Sequence, residues 1–316
     1  MTAIIAKRGT KASLIIRDAR VFDPAAGVDK HADVIIDKGK ITGIAAAGKG
    51  KAAGAETVDA AGRLLLPGFV DLHAHLRTPG REDEEDIASG TAAAAAGGFT
   101  AICAMPNTDP VVDNASVLSS LVEVAESEAL VRVAFLGSIS RGQEGGRLSD
   151  MWDMADAGAV AFSDDGRPVA DGGILRAAFQ AARLTGLPLS LHCEDAGLAA
   201  GGVMNEGEVS ARLGLTGIPA AAETAAVARD LEIAAYEGGR AHIAHISCAR
   251  TLELIAAVKQ SGAEITCEVT PHHLVLTDED VETLDSGFKM NPPLRSDGDR
   301  RALVAALAEG VIDCVA

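Results

Sequence analysis

His73-Ala74-His75 sets two imidazoles at alternate positions after the apolar run Gly68-Phe69-Val70-Asp71-Leu72. Residues i and i+2 of a strand point the same way, so this pair can grip one metal ion at a strand end. Further polar groups close later apolar runs: Asp164 and Asp165 after Phe162-Ser163, His192 after Leu191, and His242 and His245 around Ile243-Ala244. Strand parity puts His242 and His245 on opposite faces. The residue nearer the strand end, His245, is therefore taken as the ligand, and His242 as a packed histidine at the bottom of the strand or at the barrel–helix boundary. Neutral imidazoles with a carboxylate suit Zn²⁺, with Mn²⁺ and Co²⁺ as alternatives. Five ligands exceed the three of a simple catalytic zinc site and suffice for two metals bridged by a carboxylate and a hydroxide. Either of the adjacent aspartates could serve as that carboxylate.

Elements must bring these groups together. From Pro67 onward, apolar β-rich runs alternate with alanine-rich helical stretches. Eight such runs are expected at Gly68–Leu72, Thr100–Met105, Val131–Leu136, Ala159–Ser163, Pro188–Leu191, Ala241–His245, Glu264–Val269 and Val311–Val315. Helices are expected over Glu85–Ala95, Ile174–Leu184, Ala221–Tyr236, Thr251–Gln260 and Asp299–Ala308. Strict alternation of this kind predicts an α/β fold, a (β/α)₈ TIM barrel whose strand ends share one mouth. An open doubly wound sheet would carry a glycine-rich phosphate loop after its first strand, and none is present. The connections Ala196–Ala220 and Leu274–Arg295 are long enough to act as rim loops. Before Pro67 the short strands around Ile15, Val21, Ile35 and Ile41, with the turn Asp37-Lys38-Gly39, predict a small β layer over 1–65. The barrel then occupies 66–316. The run read as strand eight closes on Ala316 with no helix after it, so the chain is expected to be a fragment of a longer one.

Composition narrows the function classes. The 316 residues are 48% hydrophobic and 23% charged, which is a globular balance. A net charge of −17 and 3% aromatics argue against nucleic acid, base stacking and anionic membranes as partners. Met1–Arg8 has no apolar stretch before its basic residues, so it is not a secretory signal. Cys103, Cys193, Cys248, Cys267 and Cys314 are scattered and odd in number. That disfavours a disulfide framework and fits a reducing cytoplasm.

The motifs taken together resemble the dihydroorotases of the longer, bacterial class I type, within the amidohydrolase superfamily. The likeness rests on Asp71-Leu72-His73-Ala74-His75-Leu76-Arg77, Met105-Pro106-Asn107-Thr108, Phe162-Ser163-Asp164-Asp165-Gly166, Leu191-His192-Cys193-Glu194, Met204-Asn205-Glu206-Gly207, His242-Ile243-Ala244-His245 and Asn291-Pro292-Pro293-Leu294-Arg295. It runs from about residue 13 to the end; Thr78 departs from it, standing where the family has Glu.

The resemblance implies a zinc-dependent cyclic amidohydrolase that interconverts N-carbamoyl-L-aspartate and L-dihydroorotate in pyrimidine biosynthesis. It also implies a small β-sandwich domain beside the barrel and a cytoplasmic homodimer, with association with aspartate carbamoyltransferase. It selects Asp165 over Asp164 as the bridge. His73, His75 and Asp165 would hold one Zn²⁺; Asp165, His192 and His245 would hold the second. Arg77 and Asn107 would grip the substrate carboxylate, and Asn291 would add a contact. An arginine two residues past a metal histidine presents a planar fork to a carboxylate. Its competing role is a salt bridge to the acidic run Glu82–Asp86. Asn107 could instead shape the turn before Asp109-Pro110, and Asn291 could merely stiffen its loop. His272 and His273 stand at the same rim without an assigned role, and His31 reads as an exposed residue of the β layer. The resemblance implies that the catalytic residue, the aspartate of a Thr-Asp-His-Ala-Pro segment in the family, would lie just beyond Ala316. Other readings are a hydantoinase or allantoinase, and a non-catalytic partner of aspartate carbamoyltransferase. The full ligand set argues against the latter.

Overall fold

The computed structural model describes residues 4–5 and 12–316. Apart from Ile4 and Ile5, the Met1–Arg8 segment read above lies outside them. The first layer is one five-stranded sheet built from β1 (Leu14–Asp23), β2 (Val28–Asp37), β3 (Lys40–Ala46), β4 (Glu56–Asp59) and β5 (Leu64–Leu65). Its path is β3-β2-β1-β4, with β5 also pairing β1. Lys38 and Gly39 join β2 to β3 with φ of 49° and 75°, the left-handed pair that a two-residue hairpin requires. Alternation along β1 and β2 collects Ala19, Val21, Ala32 and Val34 into a separate small core. The fully buried Asp33 carboxylate accepts N–H groups from Asp18, Gly48 and Gly50, tying the sheet to the chain that leaves it.

The second part alternates strand and helix. In chain order its elements are β6 (Phe69–Ala74), α1 (Ile87–Ala96), β7 (Phe99–Ala104), α2 (Ala115–Glu128), β8 (Arg132–Phe135), α3 (Met151–Ala157) and α4 (Gly172–Thr185). There follow β9 (Leu189–Leu191), α5 (Ala196–Ala199), β10 (Met204–Asn205), α6 (Glu208–Leu213), β11 (Gly217–Ile218), α7 (Ala220–Glu237) and β12 (Ala241–Ile243). Then come α8 (Ala249–Gln260), β13 (Ile265–Val269), α9 (Pro271–Val275), α10 (Asp297–Ala308) and β14 (Cys314–Val315).

Parallel pairing runs β6-β7-β8, then through bridges Gly137–Phe162 and Phe162–Leu189, then β9-β12-β13-β14. This is the strand order of a (β/α)₈ barrel. The fourth stave, expected at Ala159–Ser163, is reduced to the bridges at Phe162. Main-chain bonds still hold it on both sides, Ser163 to Gly137 and Ser190 to Phe162. Beyond Ser163 the chain peels away because Asp164 turns to bind the N–H groups of Ile139 and Ser140.

Helix α4 shows why these segments coil and dock. Asp171 caps it by accepting from Gly173 and Ile174, and Leu175, Ala178, Phe179 and Ala182 form its buried stripe. That stripe joins the main core with Phe162, Leu189 and Ile243. The rim connection 196–220 is not a bare loop. It folds into α5, α6 and the parallel pair β10–β11. The five cysteines are free thiols. Among the described residues no helix is long and apolar enough to cross a membrane.

Candidate metal centre

Each candidate ligand sits at or just past the end of its stave. His73 is in β6 and His75 one residue beyond it; His192 follows β9, and His245 lies two residues past β12. Asp165 lies three residues past Phe162, on the loop that Asp164 anchors. Their side chains meet. Asp165 Oδ1 lies 3.4 Å from His73 Nε2, 3.5 Å from His192 Nδ1 and 3.3 Å from His245 Nε2. Its other oxygen lies 3.6 Å from His75 Nε2. His192 Nδ1 and His245 Nε2 stand only 2.9 Å apart. Two groups, His73–His75–Asp165 and Asp165–His192–His245, each bring their donor atoms within 4.8 Å of one another. Asp164 faces the opposite way. Its carboxyl accepts from the 139–140 main chain and the Ser140 hydroxyl, and burial pushes it up to about 6 against those hydrogen bonds.

The far nitrogens show how the rings are aimed. His73 Nδ1 lies 2.9 Å from Glu268 Oε1, and His75 Nδ1 2.9 Å from Asn107 Oδ1. Both partners only accept, so each Nδ1 donates and each Nε2 turns to Asp165. Asn107 also donates to Asp165 Oδ2 at 3.4 Å. His192 Nε2 is buried, with no hydrogen-bond partner among the described residues. Burial opposes charge on Asp165, yet its hydrogen bonds with His192, His245 and His73 hold it well below the usual carboxylate range. Burial keeps His75 and His245 below the ordinary imidazole value. His73 is the exception. Burial lowers it, but Asp165 and Glu268 outweigh that and carry it to about 10. Four imidazole nitrogens facing one carboxylate, two of them in near contact, form a donor set that fits borderline divalent metals.

Parity misjudged His242. Its Nε2 donates to Glu268 Oε2 at 3.0 Å, and the same carboxylate accepts the His245 main-chain N–H at 3.3 Å. The alternation rule fails because β12 ends at Ile243 and His245 adopts φ 35°. The reversal returns both histidines to the barrel interior. The reading of His242 as a packed residue holds, but it packs on the same side as His245.

A cleft of about 480 Å³ opens beside Asp165, lined by Arg77, Asn107, Thr108, Gln143 and Arg167 among others. Arg77 takes φ 55° and also lies 3.7 Å from Glu84, so the cleft position and the salt bridge coexist. Gly80 makes this possible. At φ 97° a Cβ would collide with the Asp109 carbonyl, while the Asp109 N–H donates to Pro79. The loops carrying Arg77 and Asn107 are thereby pressed together. Asn291 is exposed and is not among the residues lining the cleft. His272 is exposed; His273 is buried, its Nε2 donating to the Pro292 carbonyl at 3.1 Å. His31 is exposed and 3.7 Å from Asp18.

Among the residues at this site that the sequence reading did not single out, Gln143 and Glu268 touch the cluster itself. Gln143 is buried in a turn and donates to the Asp165 main chain at 3.4 Å; nothing in its neighbours marks it. Glu268 carried a signal: a carboxylate near the end of the apolar run Ile265–Val269, on the same face as Thr266.

The Dihydro-orotase-like family model matches residues 62–251. Over 96% of its length the chain is 50% identical to a dihydroorotase of Pelotomaculum thermopropionicum, covering 70% of that protein. It is 48% identical to one of Solibacter usitatus (96% and 70% covered) and 47% to one of Geobacter sulfurreducens (96% and 71% covered). Among solved structures, the L-hydantoinase (dihydropyrimidinase) of Arthrobacter aurescens superposes with a TM-score of 0.82 at 25% identity, over 96% of this chain and 68% of that one. A D-hydantoinase superposes at 0.79 with 26% identity, over 96% and 68%. With half its residues shared across nearly its whole length, the chain belongs to the dihydroorotase family, hydrolases that act on cyclic amides.

Proposed function

We propose that the protein opens and closes the ring of L-dihydroorotate, interconverting it with N-carbamoyl-L-aspartate in pyrimidine biosynthesis, with two Zn²⁺ ions at the histidine cluster. One observation carries this reading: four histidine nitrogens converge on Asp165 at 3.3–3.6 Å. His73, His75 and Asp165 would hold one ion, and Asp165, His192 and His245 the other. When bound, such a pair lowers the pKa of water and polarises a carbonyl oxygen.

The chain's own residues supply position and exclusion. Arg77 offers a planar cation in the cleft beside Asp165, suited to a substrate carboxylate. Asn107 orients His75 through Oδ1, and Asp165 through Nδ2, so its amide ties the cleft to the ligand set. Holding the ring amide against the cluster converts the attack into an effectively intramolecular step. A cationic cleft favours an anionic ring over the neutral ring of hydantoin, which separates this reading from that of the hydantoinases.

Elemental analysis of the purified protein is expected to show two zinc equivalents, and Asp165→Ala to lose both. A panel of dihydroorotate, hydantoin and allantoin is expected to show saturable binding of dihydroorotate alone. Two tightly held equivalents in Asp165→Ala, or a preference for hydantoin, would contradict the proposal.

A further inference from the structure

We infer that Glu268 is the positioning residue of this centre: one buried carboxylate selects the metal-binding nitrogen of His73 and fixes the backbone at His245. The inference rests on the metal reading above and adds a residue outside its ligand set. Glu268 is 1% exposed on β13. Its Oε1 lies 2.9 Å from His73 Nδ1 and 3.3 Å from the His245 N–H, and its Oε2 3.0 Å from His242 Nε2. An ionised carboxylate only accepts. His73 Nδ1 must therefore carry a proton, so that Nε2, which faces Asp165, is the nitrogen left to bind a metal ion. His242 must likewise carry its proton on Nε2. Its Nδ1 is then free to accept from the Thr266 hydroxyl at 2.8 Å. The chain Thr266–His242–Glu268–His73 is thus consistent in every donor and acceptor across β13, β12 and β6, and it leaves the His73 Nε2 lone pair facing Asp165, where a metal ion would sit.

Glu268 touches a residue from each half of the centre, His73 from the first triad and His245 from the second. Its loss should disturb the centre more than the loss of one ordinary hydrogen bond. A third metal ion is the rival use of this carboxylate, since His242, Glu268 and Cys314 also bring donor atoms within 4.8 Å of one another. The geometry disfavours it, because both carboxylate oxygens already accept N–H groups.

The test is zinc affinity by chelator competition on the full chain and on Glu268→Gln, with melting temperature measured alongside. Gln keeps the shape but places an NH₂ where only acceptors fit, so it frustrates either His73 or His242. Partners that orient a metal ligand from behind are worth roughly 10- to 100-fold in metal affinity. The expected result is a loss of that size in a protein that still melts in one cooperative transition, with ligand Asp165 intact. Nitrogen-15 NMR of the zinc-loaded unsubstituted protein needs no variant to fold; it should show the His73 proton on Nδ1. Wild-type affinity in Glu268→Gln, a His73 proton on Nε2, or a third zinc equivalent lost with Glu268 would each overturn the role. If the unsubstituted protein held no zinc, the metal reading would fall and take this role with it. If it held two while Glu268→Gln matched it, this role alone would fall.

Discussion

Burying one carboxylate among four imidazoles costs free energy unless every proton has a place. Asp165 meets that condition through its hydrogen bonds with His192, His245 and His73, and the far nitrogens of His73 and His75 are matched to acceptors. Arg77 and Arg167, two residues past His75 and Asp165, both line the cleft, and Arg77 is the one the family resemblance aligns with substrate binding. The Arg77 guanidinium can pair two parallel N–H groups with a carboxylate, which an ammonium cannot do. Arg77→Lys is therefore expected to weaken dihydroorotate binding by about tenfold or more, the worth of one charge-assisted hydrogen bond, as read by calorimetric titration. An unchanged dissociation constant would leave Arg77 as no more than the partner of Glu84. At this scale the sequence showed which residue types stand at strand ends. It could not show the turn at His245, because a φ of 35° on a histidine has no local signature.

At the scale of elements, the connection after α9 is held by buried polar groups. His273 accepts from the Thr270 hydroxyl at 2.8 Å and donates to the Pro292 carbonyl, fixing the segment that begins at Asn291. Burial, opposed by Glu223 and the Pro292 carbonyl, depresses His273 to about 4. The folded pKa lies below the unfolded value of about 6.5, so the unfolded chain binds the extra proton first. Stability present above about pH 6.5 is accordingly expected to fall as the pH drops towards 4. Denaturant titrations at pH 7 and pH 5 check this, and His273→Gln should flatten the dependence. An equal loss in that variant would place the proton elsewhere. A second buried group, Glu223, accepts from Ser247, Cys248 and Thr251, and Arg295 donates to Ser247, Asn205 and Ile218. Arg295 of the Asn-Pro-Pro-Leu-Arg motif thus ties the rim connections to one another. Motif spacing could not reveal this, because its partners are 48, 77 and 90 residues away.

Over the whole molecule, the alternation of apolar runs and helical stretches was sufficient to order the staves. Position at strand ends was sufficient to gather His73, His75, His192 and His245 at one mouth, while parity served the His73–His75 pair and failed at His245. The fourth stave was harder to read, since Ala159–Ser163 is apolar like a strand but is held mainly at Phe162, with Asp164 redirecting the chain. Long-range carboxylates were harder still: Glu268 acts across 195 residues on His73, a relation no window of sequence contains. The central claim is that Asp165 is shared by two metal positions. Anomalous diffraction at the zinc edge, from crystals grown with Zn²⁺, tests it most directly. The account predicts two peaks about 3.5–4 Å apart, one against His73 and His75, the other against His192 and His245, with Asp165 between them. A single peak, or two that leave Asp165 unligated, would contradict it.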